Sequence, residues 1–189
     1  MNRQFAEIRL ALFQLLQAAY TAPATPELAE ALREVAAVYL DLVERPAPPL
    51  GLPDGAADVA EFHRLFVGPG ALVAPPYESV YLSTEKVLMQ AETLAVREFY
   101  RSYGKELAPD HREPDDFLAF ELEFYAYLQT QVHGLEAMQR FCTEHLERWV
   151  PTFCERVITA TRSPFYRSLA EITREVILTE GQVLTAIAQ

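Results

Sequence analysis

At 189 residues, half of them hydrophobic, the chain is long enough to bury a core and too apolar to be disordered. Its net charge of −11, with no basic cluster to offset it, argues against nucleic acid, because affinity for phosphate backbones rests on Lys and Arg. The same balance suits a cationic ligand such as an arginine-bearing peptide, and no run approaches the roughly eighteen apolar residues of a membrane span.

Helical spacing runs along the whole chain. Residues 3–20 set Phe5, Ile8, Leu12, Leu15 and Leu16 on one stripe. Glu7 and Arg9 interrupt the apolar run, so the segment reads as a helix of the mature fold and not as a leader. A second helix covers 25–44, with Thr25 as cap, Pro26 at the first helical position and Glu27 in the first turn. "RPAPPLGLPDG" (45–55) is a loop. The third helix, "AADVAEFHRLFVG", closes at Gly68 as a left-handed cap.

Between 68 and 84, Pro69, Pro75 and Pro76 forbid a helix, while Tyr77, Val80 and Tyr81 are too apolar for a solvated loop. A fourth helix is expected over 84–103, ending at Gly104, and another over 114–132 after an acidic connection. Two more follow: Pro151 breaks the run near Trp149, and Pro164 starts the last. Cys142 and Cys154 stand twelve residues apart, about 18 Å along a helix, too far for a disulfide; they read as buried thiols. With no strand, repeat or low-complexity tract, the expected fold class is all-α. One domain spans 1–189, with a loop at 45–55, the irregular 68–83 segment and a candidate hinge at 104–113.

The stretch "REPDDFLAFELEFYAYLQ" (112–129) interleaves acids and aromatics. Pro114, Asp115 and Asp116 suit a helix N-terminus, where carboxylates meet unsatisfied N–H groups. Phe117, Phe120, Phe124 and Leu128 form a core stripe. Glu121 falls on the same face, so it needs a partner or carries a raised pKa. Residues 106–123 hold seven acids against one arginine. Two readings stay open: a capped core helix, or an acidic, aromatic receptor for a cationic and partly apolar ligand. Catalysis is unmotivated. The histidines make no Glu-x-x-His or HExxH pattern, no phosphate loop is present, and adjacent Asp115 and Asp116 point about 100° apart on a helix, poor geometry for flanking one bond.

"EFHRLFVGPGALVAPPYESVY" (61–81), "EPDDFLAFELEFYAYL" (113–128) and "HLERWVPTFCERVITATRSPFYRSLAEI" (145–172), in that order, resemble the TorD/DmsD/NarJ group of redox-enzyme chaperones. The resemblance implies an all-helical bundle of the cytoplasm, not an enzyme and without a cofactor of its own. Such a protein binds the twin-arginine leader, or another part, of a molybdopterin-containing oxidoreductase subunit and holds it until its cofactor is inserted. Leu65, Phe66 and Gly68 match the group's Leu-Phe-x-Gly element, and Tyr77, Glu78 and Ser79 its Pro-Tyr-Glu-Ser segment, with Tyr81 beside them. Asp115, Glu121 and Phe124 match its Glu-Pro-Asp-His signature region. Asp116 stands where the signature has histidine, adding an acceptor that would strengthen attraction to arginine. These residues are the expected peptide-binding set. The alternative is a cofactor-assembly protein that binds nucleotide or molybdopterin directly. The resemblance leaves open a monomer or a helix-swapped dimer.

Overall fold

The computed structural model describes residues 3–108, 111–132 and 134–187; residues 109 and 110 of the expected hinge lie outside them. Among the described residues the chain is all-α. Its helices are α1 (Arg3–Thr21), α2 (Pro26–Leu42), α3 (Gly55–Phe62), α4 (Glu78–Leu82), α5 (Ala91–Ser102), α6 (Leu118–Gln129), α7 (Gly134–Phe141), α8 (Glu147–Ala160) and α9 (Pro164–Ile187). π-helical turns extend α3 through His63–Val67 and join α7 to α8 through Cys142–Leu146.

The caps read from sequence are present where local chemistry alone decides them. Thr25 accepts from the Leu28 amide at 3.2 Å and Pro26 opens α2. Past α5, Gly104 takes a φ of +68°, which lets the Lys105 amide reach back to the Tyr100 carbonyl at 3.0 Å. Cys142 and Cys154 are free and buried, as expected.

Helix α6 is buried nearly all round and sits at the centre, packed on α1 and α7, while α8 packs on α9 and α1 on α2. Tyr125, Phe141, Trp149 and Phe153 are fully buried in this core, each worth about 1.5–3 kcal/mol or more by area. Arg9, read above only as an interruption, is fully buried instead. Its guanidinium reaches Gln129 Oε1 at 2.6 Å and Glu180 Oε1 at 3.4 Å. The hydroxyls of Tyr39 and Tyr125 also donate to Glu180, so one ion pair ties α1, α2, α6 and α9 together.

Five local expectations are corrected. Pro151 lies inside α8 and does not break it; the π-helical turn Cys142–Leu146 widens the helix just before the carbonyl that the proline ring crowds. Gly68 has φ +100° and ψ −166°, a positive φ outside the left-handed helical well, and a Cβ there would meet the Gly70 nitrogen at 3.3 Å. The 68–84 segment does contain a short helix, α4, because the prolines end at Pro76 and leave 78–82 free to coil. Helix α5 begins at Ala91 and not at 84: Lys86 and Met89 take positive φ, which breaks the helical path. Finally, α6 starts at Leu118, so Asp115 and Asp116 precede it.

Candidate peptide-binding site

The two motif segments meet. Pro75 and Pro76 keep the chain extended ahead of α4, and a turn closed by the Phe117 amide on the Pro114 carbonyl (3.1 Å) does the same ahead of α6. The Leu118 amide donates to the Pro76 carbonyl at 2.9 Å and the Glu78 amide to the Asp116 carbonyl at 3.1 Å. This antiparallel bridge pairs Tyr77 with Phe117, their rings 5.6 Å apart. It brings the Pro-Tyr-Glu-Ser segment against the Pro-Asp-Asp turn.

Carboxylates converge on this junction, each with a partner. Asp116, 0% exposed, accepts from the Ser79 amide and from the Thr93 hydroxyl, both at 2.8 Å. It thus anchors the first turns of α4 and α5. Asp115 Oδ2 takes two bonds from Arg97, at 2.7 and 3.1 Å, and its carbonyl accepts from the Tyr100 hydroxyl. Glu113 accepts from Tyr77. Glu78 is buried against His145 Nδ1 at 2.9 Å, and burial holds its carboxyl above the ordinary range while the His145 contact pulls it back. Glu121 accepts from the Trp149 indole at 3.1 Å. Its carboxyl is pushed well up by burial, reinforced by the neighbouring Glu78 charge.

The structure brings some of the expected residues together and leaves others in the core. Tyr77, Glu78, Ser79, Asp115, Asp116 and Glu121 come together at the junction, all buried. Tyr81, half-buried, stacks on Trp149 at 5.5 Å and touches Phe153. Leu65 and Phe66 are core residues of the π-helical turn, with Phe66 also against Phe153; Gly68 follows them, half-buried. Phe124 packs among Phe99, Tyr100 and Phe141 in the core.

What the junction presents to solvent is the segment it anchors. Val87, Leu88, Met89 and Leu94 are 49%, 42%, 71% and 57% exposed, in the stretch between α4 and the first turn of α5. Exposed Glu85 and Glu98 flank them. These four side chains put apolar surface, including a pliable methionine, into solvent beside charged residues, where isolated apolar side chains would otherwise be scattered singly. Sequence reasoning assigned these residues to a helix and missed them. The available signal was three consecutive apolar residues, 87–89, which at 100° apart no single helical face can bury. Beside the patch, Phe99, Arg140, His145 and Arg148 line an open hollow of about 670 Å³.

Comparison with known proteins places this geometry in context. A family profile described as "Nitrate reductase delta subunit" matches residues 5–155. The chain is 34% identical over 146 residues to the Tat proofreading chaperone DmsD of Salmonella typhi, covering 77% of this chain and 66% of that one. It is 28% identical over 141 residues to the chaperone protein TorD of Vibrio cholerae, covering 69% and 63%. The matches thus span just under two thirds of these relatives' own length. A solved redox enzyme maturation protein from Archaeoglobus fulgidus has the same fold, with a TM-score of 0.55 at 18% identity over 94% of this chain and 96% of that one.

Proposed function

The chain belongs to the nitrate reductase delta subunit family, the TorD/DmsD/NarJ group, and from that membership we propose that it is a dedicated chaperone which holds the precursor of a redox enzyme during maturation. Its client is a molybdopterin-containing oxidoreductase subunit, engaged through an arginine-bearing, apolar leader before export or assembly. The reading is carried by one observation: the exposed apolar segment Val87–Met89 with Leu94, held out by the carboxylate junction on a strongly acidic protein. The apolar stretch of a leader finds contact area there, and its cationic end finds a surface of complementary sign. In this scheme the motif carboxylates set the position of the binding segment, and Tyr81 lies at its edge.

Co-purification from cells of the source organism, with bound proteins identified by mass spectrometry, tests the proposal. The unmodified chain should retain an oxidoreductase subunit with its leader intact. A variant carrying Leu88→Glu and Met89→Glu should lose that subunit while melting like the parent, because both side chains are exposed. Recovery of no oxidoreductase, or equal recovery by the variant, would refute it.

A further inference from the structure

We propose that the outer face of α6 carries a recognition pocket for a guanidinium group, occupied at rest by the chain's own Lys105. A hollow of about 280 Å³ opens between the end of α5, the connection after it and α6. Tyr100, Phe120, Phe124 and Tyr127 supply its aromatic wall, and Glu123 its free acid. A second hollow, about 250 Å³, lies toward α1 and shares Glu123 and Tyr127 with the first. Glu123 thus stands on the ridge between two largely apolar depressions.

The charges sort themselves on this face. Glu106 is already bound to Arg101 at 3.0 Å, and Arg101 also holds Glu98. Glu123 is exposed and makes no ion pair among the described residues. The ammonium of Lys105 lies 4.2 Å from the centre of the Tyr127 ring, the separation expected for a cation held by the ring's negative face. Lys105 reaches this position from an exposed connection just past Gly104, where the backbone turns at positive φ. The molecule therefore already displays the interaction the pocket is built for, made by a side chain that can leave.

An incoming arginine fits better than the resident lysine. Its planar guanidinium stacks on Tyr127 while forking two N–H donors toward a carboxylate, which an ammonium cannot do with the same geometry. Glu123 is the carboxylate available for it. The arginine's origin in a client leader rests on the chaperone reading above; the pocket's selectivity does not.

Two probes separate the two claims. N-acetyl-L-arginine amide, titrated into the isotopically labelled protein, should shift the ring resonances of Tyr127, and more strongly in Lys105→Ala. The uncharged isostere N-acetyl-L-citrulline amide should not. A fluorescent synthetic twin-arginine leader, followed by anisotropy, should bind about two- to fivefold tighter to Lys105→Ala and about five- to thirtyfold weaker to Tyr127→Leu, with Tyr127→Phe unchanged. Leader binding that is equal in parent, Lys105→Ala and Tyr127→Leu overturns the pocket as the leader's arginine site and leaves the chaperone reading standing. Arginine-specific shifts without leader binding support the pocket and count against the leader. Equal shifts with arginine and citrulline, or none in Lys105→Ala, overturn the pocket outright.

Discussion

Replacing Asp116 decides whether the motif carboxylates build the site or touch the ligand. Its side chain accepts two bonds, from the Ser79 amide and the Thr93 hydroxyl, both at 2.8 Å and away from solvent. A hydrogen bond to a charged group is worth about 1.5–3 kcal/mol net, so Asp116→Ala removes roughly 3–6 kcal/mol and strands two buried donors. That is a large share of the roughly 5–15 kcal/mol that holds a domain folded. At about 2–4 °C per kcal/mol for a chain of this size, the melting temperature should fall by roughly 6–24 °C. Asp116→Asn is the discriminating control. Its amide oxygen can accept from Ser79 and its nitrogen can donate to Thr93, whose hydroxyl turns to accept, so about half of the alanine loss should return. Urea titration followed by far-ultraviolet circular dichroism measures both. An alanine variant within about 1 kcal/mol of the parent would refute the anchoring role. Loss of leader binding at unchanged stability would instead turn Asp116 into a ligand contact.

Three further outcomes follow from buried groups. Glu180→Ala takes the buried carboxylate away from Arg9 and should cost about 3–5 kcal/mol, whereas Arg9→Met with Glu180→Leu should cost less, since paired removal takes out both buried charges; urea midpoints compare them. Burial raises the Glu121 and Glu180 carboxyls in the folded state, so their contribution is fully present below about pH 4.5 and is lost as pH rises through the raised values. Glu61, held down to about 2 by its bonds from Arg64, acts in the opposite sense, with stability present above pH 4.5 and lost toward pH 2. Thermal melts should therefore rise from pH 8 toward pH 5 and fall below pH 4, and Glu121→Gln should flatten the upper limb. A melting temperature that climbs steadily from pH 5 to 8 in the parent contradicts this. Burial also pushes the Cys142 and Cys154 thiols upward, so neither should react with a thiol reagent in the native protein at pH 8, while both should react in urea.

The stretch 112–129 shows how far sequence carries such a reading. Spacings of three and four put Glu121 on the face of Phe117 and Phe124, and the structure buries it there against Trp149. Glu123, two residues on, turns about 200° around the helix and emerges between two hollows. Short-range arithmetic located Glu121, and it also located the cap at Thr25 and the helix start at Pro164, because every atom involved lies within a turn or two. Asp115 and Asp116 resisted it for a different reason. Pro-Asp-Asp suits the start of a helix, yet Asp116 anchors helices that begin at Glu78 and Ala91, tens of residues upstream. Nothing within four positions records those partners. Arg9 is the extreme case: a charge that looks like an interruption in α1 is satisfied by Glu180 at the far end of the chain. The acids of this protein thus divide by the range of their partners. Those answered at long range define the framework, and Glu123 on α6, which makes no ion pair among the described residues, is where the proposed ligand's charge would be met.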